Sequence, residues 1–171
     1  DTVENSEQEY QVQVKSLEWM MKPSSFYGAQ YFAKMFGDKA LNILDLGAGS
    51  GVWSYAFLNT FKGSKATLID WEAVLKVAKS SAEEQGLGSR VEFKSGNYHE
   101  TDFGEGRDIV ILGNVTHIES EENCQNLFDR AYKSLKPGGA IVVYDVFSKS
   151  EKGKVSASLY KLGLCLRTEN G

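Results

Sequence analysis

Residues 44–51 read Leu-Asp-Leu-Gly-Ala-Gly-Ser-Gly, and nineteen positions after Gly51 an acid, Asp70, closes the apolar run Ala66-Thr67-Leu68-Ile69. A strand ending in a glycine turn, then a helix, then a second strand capped by a carboxylate builds a nucleoside site at the carboxyl edge of an open parallel sheet. The glycines let the backbone turn sharply and leave no Cβ between chain and ligand. Asp70 can accept hydrogen bonds from both ribose hydroxyls. The spacing is Gly47-x-Gly49-x-Gly51, with Val52 where a G-x-G-x-x-G dinucleotide fingerprint would place its third glycine. That departure argues against a pyrophosphate, and so against a nicotinamide-dependent oxidoreductase. No G-x-x-x-x-G-K-[ST] run is present to form a nucleotide-triphosphate loop. A nucleoside with an amino-acid tail suits the turn better.

The stretch 44–51 together with Asp70 resembles the first two motifs of class I S-adenosylmethionine-dependent methyltransferases. The resemblance implies an α/β, Rossmann-like fold: a doubly wound, mostly parallel sheet in three α/β/α layers. It also implies S-adenosyl-L-methionine as the cofactor. Asp45, Gly47, Ala48, Gly49 and Gly51 are then expected at the cofactor's amino-acid end, and Asp70 at its ribose.

Composition bounds the reading from another side. The 171 residues, 42% of them hydrophobic, suit one globular domain with a single core. A net charge of -4 with no basic run leaves no electrostatic footprint for nucleic acid and favours a small-molecule substrate. Cys124 and Cys165 make neither a disulfide framework nor a metal spacing, so no metal is expected. No signal peptide opens the chain, and no apolar run approaches the roughly 20 residues that span a bilayer. A cytoplasmic protein is the expectation, although Asp1 in place of Met suggests a piece of a longer product.

Along the chain, Tyr10, Val14, Leu17 and Met21 recur at helical spacing until Pro23 interrupts. A second helical stretch over 25–36 carries Phe26, Tyr27, Tyr31 and Phe32, rings expected in the core or as a lid. Residues 1–40 thus form an N-terminal helical segment, and 41–171 the methyltransferase domain. From Asn42 strands and helices alternate, as crossover connections in a parallel sheet require. Strands are expected at 42–46, ending at Asp70, at 90–94, at 109–112 and at 140–146. Lys136-Pro137-Gly138-Gly139 reads as a turn before the last. Between them, Val74, Ala78 and Ala82 share one helix face. Ser120 reads as an N-cap with Glu121 and Glu122 in the first turn. Behind it Cys124, Leu127, Phe128, Ala131 and Leu135 form an apolar stripe. Val155, Leu159, Leu162 and Leu166 suggest a final helix.

Gly96-Asn97-Tyr98 follows the third strand, at the same edge as Asp70. In the methyltransferase family this position is usually an aspartate that accepts from the adenine amino group. Asn97 can accept such a bond without a full charge, which implies weaker binding. Trp71 and Tyr98 could sandwich the purine. His99 reads as a solvated loop residue.

After the fourth strand come Asn114-Val115-Thr116-His117 and then Ile118-Glu119-Ser120-Glu121-Glu122-Asn123-Cys124. This stretch resembles small-molecule O-methyltransferases of the caffeate and acetylserotonin type. The resemblance implies that His117 removes the proton from a substrate hydroxyl and that Asp145, at the end of strand five, orients it. It also places Asn114 at the cofactor edge. A neutral imidazole near pH 7 suits that proton transfer, and a carboxylate fixes its tautomer. The match departs at Glu119, where relatives carry an aromatic residue. Only about forty residues precede the glycine loop, too few for the relatives' dimerising helical region, and the chain ends before their C-terminal strand pair. A homodimer or a larger parent polypeptide is therefore the expected context. N- or C-methylation, and a non-catalytic cofactor-binding scaffold, remain open as alternatives.

Overall fold

A computed structural model of the chain describes residues 3–146, with side chains from residue 13 onward. Helix α1 (Val3–Phe36) leads into an alternation of strands and helices: β1 (Asn42–Leu46), α2 (Val52–Thr60), β2 (Lys65–Asp70), α3 (Glu72–Glu84), β3 (Val91–Ser95), β4 (Arg107–Gly113), α4 (Glu121–Ser134) and β5 (Leu135–Tyr144). The five strands are all parallel, in the order β3-β2-β1-β4-β5. The chain reverses direction across the sheet between β1 and β4, a switch point whose carboxyl side is the usual ligand crevice.

The continuous apolar runs in the central strands follow from burial on both faces. Ile43, Leu68, Ile109 and Ile111 face α2 and α3, where Phe57, Leu58, Leu75 and Ala78 are fully buried. Leu44, Leu46, Ile69, Val110 and Leu112 point the other way, onto Leu127 and Ala131 of α4 and Phe103. Three layers result. Among the described residues no helix is long and apolar enough to cross a membrane.

Three local expectations need correction. Pro23 does not end a helix but sits inside the single helix α1. An interior proline costs about 3 kcal/mol, and packing on both sides of it outweighs that. Val14 is buried against Val74 and Val77 of α3, while Ser25 and Ala29 are buried beyond the proline. The Ser25 hydroxyl donates to the Lys22 carbonyl, 3.0 Å away. Of the five aromatic residues of 25–36, Phe32 packs inward on Phe57 with Phe36 stacked beside it; Phe26, Tyr27 and Tyr31 are exposed.

The third correction concerns β5, which starts at Leu135 directly after α4 rather than after a turn. Its register against β4 slips between Arg107 and Ile109, so that Leu135 and Ala140 both stay paired. Gly138 takes φ +81°, and a Cβ at Gly139 would lie 3.1 Å from the carbonyls of Arg107 and Asp108. Glycines there let the strand bulge without leaving the sheet. The apolar stripe of α4 is also narrower than expected: Leu127 and Ala131 are buried, whereas Cys124 and Phe128 are half-buried and Leu135 belongs to the strand. The final helix expected near 155–166, and Cys165 with it, lie outside the described residues.

The β1–α2 turn yields the first prediction. Gly49 and Gly51 have φ +57° and +79°, but a Cβ at Gly49 meets nothing within 4 Å whereas one at Gly51 would enter the Tyr55 ring. Gly49→Ala should therefore cost about 1–2 kcal/mol for the left-handed backbone alone, and Gly51→Ala clearly more. Urea denaturation of both variants checks the order.

Candidate active site

The glycine turn is tied to the neighbouring strand by its backbone. Gly47 and Ala48 donate their N–H groups to the Ile69 carbonyl at 2.9 and 3.2 Å. Gly49 donates to Asp70 Oδ2 at 2.8 Å, and Trp71 N–H donates to Asp70 Oδ1 at 2.7 Å. Two backbone groups thus orient the Asp70 carboxylate at the tip of β2, beside the turn. A Cβ at Gly47 would lie 2.9 Å from Val115 and 3.7 Å from the Tyr98 ring, so the turn passes close beneath both. Above Gly49 the space is open. Asp45 is buried under the turn, where Ser54 of α2 donates to its Oδ2 at 2.7 Å.

The loops after β3 and β4 flank this edge. Asn97 Oδ1 accepts the His99 N–H at 3.0 Å, so the amide carbonyl expected at the purine already closes a local turn. His99 is not a solvated loop residue. Its Nε2 lies 2.8 Å from Glu119 Oε1, which also accepts from the Tyr98 hydroxyl at 2.6 Å, and Asn123 donates to Glu119 Oε2 at 2.9 Å. The Glu119 side chain is only 7% exposed. From α4, Arg130 donates to the carbonyls of Tyr98, His99 and Thr101 and stacks 4.1 Å from the Phe103 ring, pinning the whole loop. Sequence reading marked Glu119 only as a departure from the relatives' pattern, without its contacts, and missed Arg130. The available signals were a carboxylate standing at an aromatic position and an arginine beside the apolar stripe of α4 rather than opposite it.

Asn114, directly after β4, has φ +63°, uncommon for a residue other than glycine. Its N–H donates to the Tyr144 carbonyl, while its side-chain Oδ1 is buried without a partner. A buried acceptor left so at a ligand edge is the expected mark of a polar group supplied from outside. Together with three left-handed glycines and an oriented acid, it fits a nucleoside with a polar tail.

Past Asn114, a short 3-10 turn (Thr116–Ile118) carries His117. Its Nδ1 lies 2.9 Å from Asp145 Oδ1, just beyond β5. Asp145 Oδ2 accepts from the Thr116 hydroxyl at 2.6 Å and from the His117 N–H at 3.1 Å, and Oδ1 accepts from the Val146 N–H at 2.8 Å. The carboxylate is 2% exposed and the imidazole 14%. Burial by itself would raise the Asp145 carboxyl, but the hydrogen bonds from His117, Thr116 and Val146 outweigh it and hold it below its usual range. The adjacency of β4 and β5 brings this pair together. Clefts of about 260 and 380 Å³ lie elsewhere, one between α1 and α2 and one at the amino edge around Lys65, Arg90 and Arg107.

Comparison with known proteins agrees with this geometry. Residues 3–171 match the model of a family described as an O-methyltransferase domain. Bovine (Bos taurus) acetylserotonin O-methyltransferase is 30% identical over 131 residues, covering 74% of this chain and 36% of the bovine protein. A crystal structure from Nostoc punctiforme, of a candidate O-methyltransferase, superposes with a TM-score of 0.87 at 27% identity, covering 95% of this chain and 48% of that one. Human N-acetylserotonin methyltransferase, solved in complex with SAM, superposes with a TM-score of 0.73 at 26% identity, covering 97% and 46%. The chain thus spans about a third of the curated relative's length and about half of each structure's.

The two buried acids of the site respond to pH in opposite senses. Burial pushes the Asp45 carboxyl from its ordinary 3.8 up to about 7, against the lowering effect of Ser54. The folded chain therefore holds this proton where the unfolded chain has lost it, so stability falls as pH rises from about 3.8 to about 7. Asp145 has a depressed folded value, so its contribution is present above the usual carboxylate range and lost as pH falls through the folded value. Asp45→Asn keeps an acceptor for Ser54 and should flatten the first dependence. Urea unfolding of both proteins at pH 5, 6, 7 and 8 measures it, and parallel curves would contradict the assignment.

Proposed function

Because the chain belongs to the O-methyltransferase domain family, we propose that its carboxyl edge binds S-adenosyl-L-methionine and that it carries a methyl group to the hydroxyl of a small molecule, with His117 as general base. The observation that carries this reading is the His117–Asp145 pair, held at 2.9 Å on the same edge as the oriented Asp70. When bound, the cofactor supplies an electrophilic methyl on a sulfonium. The protein's own share is binding, alignment and removal of one proton.

Asp70 accepts from the ribose hydroxyls, its direction set by Gly49 and Trp71. Gly47, Ala48, Gly49 and Gly51 line the amino-acid end, with Asp45 beneath them and the Asn114 carbonyl as a waiting acceptor. Trp71, Asn97 and Tyr98 border the adenine. At the acceptor side, the Nδ1 bond to Asp145 selects the tautomer with its lone pair on Nε2, which takes the hydroxyl proton. Asp145 then stabilises the imidazolium. Thr116 and Val146 keep the carboxylate from turning away.

Calorimetry with S-adenosylhomocysteine should show binding that Asp70→Ala weakens at least about tenfold, since each hydrogen bond to a charged group contributes roughly 1.5–3 kcal/mol. No binding at millimolar ligand would end the reading. Methyl transfer from labelled cofactor to a panel of phenols and aliphatic alcohols should fall by about 10²–10⁴ in His117→Ala and not recover at high pH. Near-normal rates in that variant would instead mark N- or C-methylation with His117 incidental. Binding without transfer to any acceptor would mark a non-catalytic module.

A further inference from the structure

We propose that the cleft of about 380 Å³ at the amino edge of the sheet binds a phosphate group, free or carried on a small organic molecule. This site lies at the opposite end of the strands from Asp70 and His117 and is independent of the proposed methyl transfer. Between Lys65 and Asp70, β2 rises about 3.3 Å per residue, so the two edges stand roughly 16 Å apart.

Three cations and one acid line the cleft: Lys65 at the start of β2, Arg90 in the 3-10 turn (Gly88–Arg90) before β3, Arg107 at the start of β4, and Glu92 of β3. Lys22, Lys79 and Lys136 elsewhere each pair with a carboxylate, but among the described residues none of these three does. Arg107 is half-buried, and all its hydrogen bonds end on neutral oxygens: Nε and Nη2 on the Phe103 carbonyl, Nη1 on Asn42 Oδ1 and Thr67 Oγ1. Burial pushes its guanidinium below the ordinary value, and the charges of Glu92 and Asp102 offset this only in part. Arg90 spends Nη1 on the Leu58 carbonyl at 2.9 Å and has no other partner. The exposed Lys65 side chain has none among the described residues. The single acid is engaged by the sheet itself, Glu92 Oε2 accepting the Thr67 hydroxyl at 3.1 Å. A compact, doubly charged oxyanion matches what is left over: a guanidinium offers it forked N–H donors and an ammonium a point charge. A carboxylate would leave one of the two unspent cations unmatched, and nucleic acid needs a basic surface that a chain of net charge -4 lacks. The volume falls in the range of small-molecule sites, about 300–1,000 Å³, which leaves room for a carrier beside the phosphate.

The test is calorimetric titration of the full chain with sodium phosphate at about pH 8, where a phosphate carries close to two charges. Chloride holds the ionic strength constant, so that screening alone gives no signal. One saturable equivalent is expected, weakened about tenfold in Arg90→Gln and in Lys65→Gln, the scale of one charge-assisted hydrogen bond. Glu92→Gln removes the acid of the cleft and should tighten binding several-fold, a direction that loss of structure does not produce. Lys22→Gln alters the net charge equally but lies on α1, paired with Glu18, and should change nothing. Saturating S-adenosylhomocysteine should leave the phosphate affinity as it is. Glucose 6-phosphate binding more tightly than inorganic phosphate would identify an organic carrier, and equal affinity a free ion; either result supports the inference. No saturable heat, or an affinity indifferent to Arg90→Gln and Glu92→Gln in folded chains, would overturn it. Competition with S-adenosylhomocysteine would overturn it too, by moving the anion to the glycine turn. The cofactor reading stands or falls on its own titration.

Discussion

Gly49 donates its backbone N–H to the Asp70 carboxylate across 2.8 Å, joining the turn after β1 to the tip of β2. Every other feature of the edge is arranged around that bond. It requires a left-handed turn, hence the glycines, and it requires β1 and β2 to be parallel neighbours so that turn and acid reach the same height. The paired strands supply that height through five matched residues, from Asn42 with Lys65 to Leu46 with Ile69. A charge-assisted bond of this kind is shorter and about twice as strong as a neutral one. It therefore holds the carboxylate rigid where solvent would otherwise let it turn.

Around this centre the sheet distributes two tasks to two sides. Toward β2 and β3 the edge carries what the proposed function uses for recognition: an oriented acid, the Tyr98 ring, and a loop held from below by Arg130. Toward β4 and β5 it carries the histidine to which the proposed function gives proton transfer, its partner acid buried and held by a hydroxyl and two backbone N–H groups besides. Glu119 touches both halves. It follows His117 by two residues in the chain, yet its hydrogen bonds run to the loop after β3. Binding and alignment thus share one rigid frame, as near-attack geometry demands.

The sheet was legible in the chain because burial on both faces leaves continuous apolar runs, and because the turn at Gly47 and the acid at Asp70 mark where two strands stop. The neighbourhood of His117 and Asp145 followed from strand order. What escaped reading depended on contacts between segments distant in the chain. Pro23 stays helical because distant residues of α2 and α3 hold the helix on both sides. The bulge in β5 depends on how closely β4 approaches Gly139. The pairing of His99 with Glu119 joins loops from different strands, and nothing at either position announces the other. Apolar periodicity reports what a segment buries, whereas hydrogen bonds between loops depend on where the sheet delivers them.

A crystal structure of the chain with S-adenosylhomocysteine tests the central claim most directly. The account predicts a ribose on Asp70, the amino-acid tail over Gly47 and Gly49 with a polar atom at Asn114 Oδ1, and the sulfur facing His117. A ligand seated between α1 and α2, or one whose ribose avoids Asp70, would contradict it.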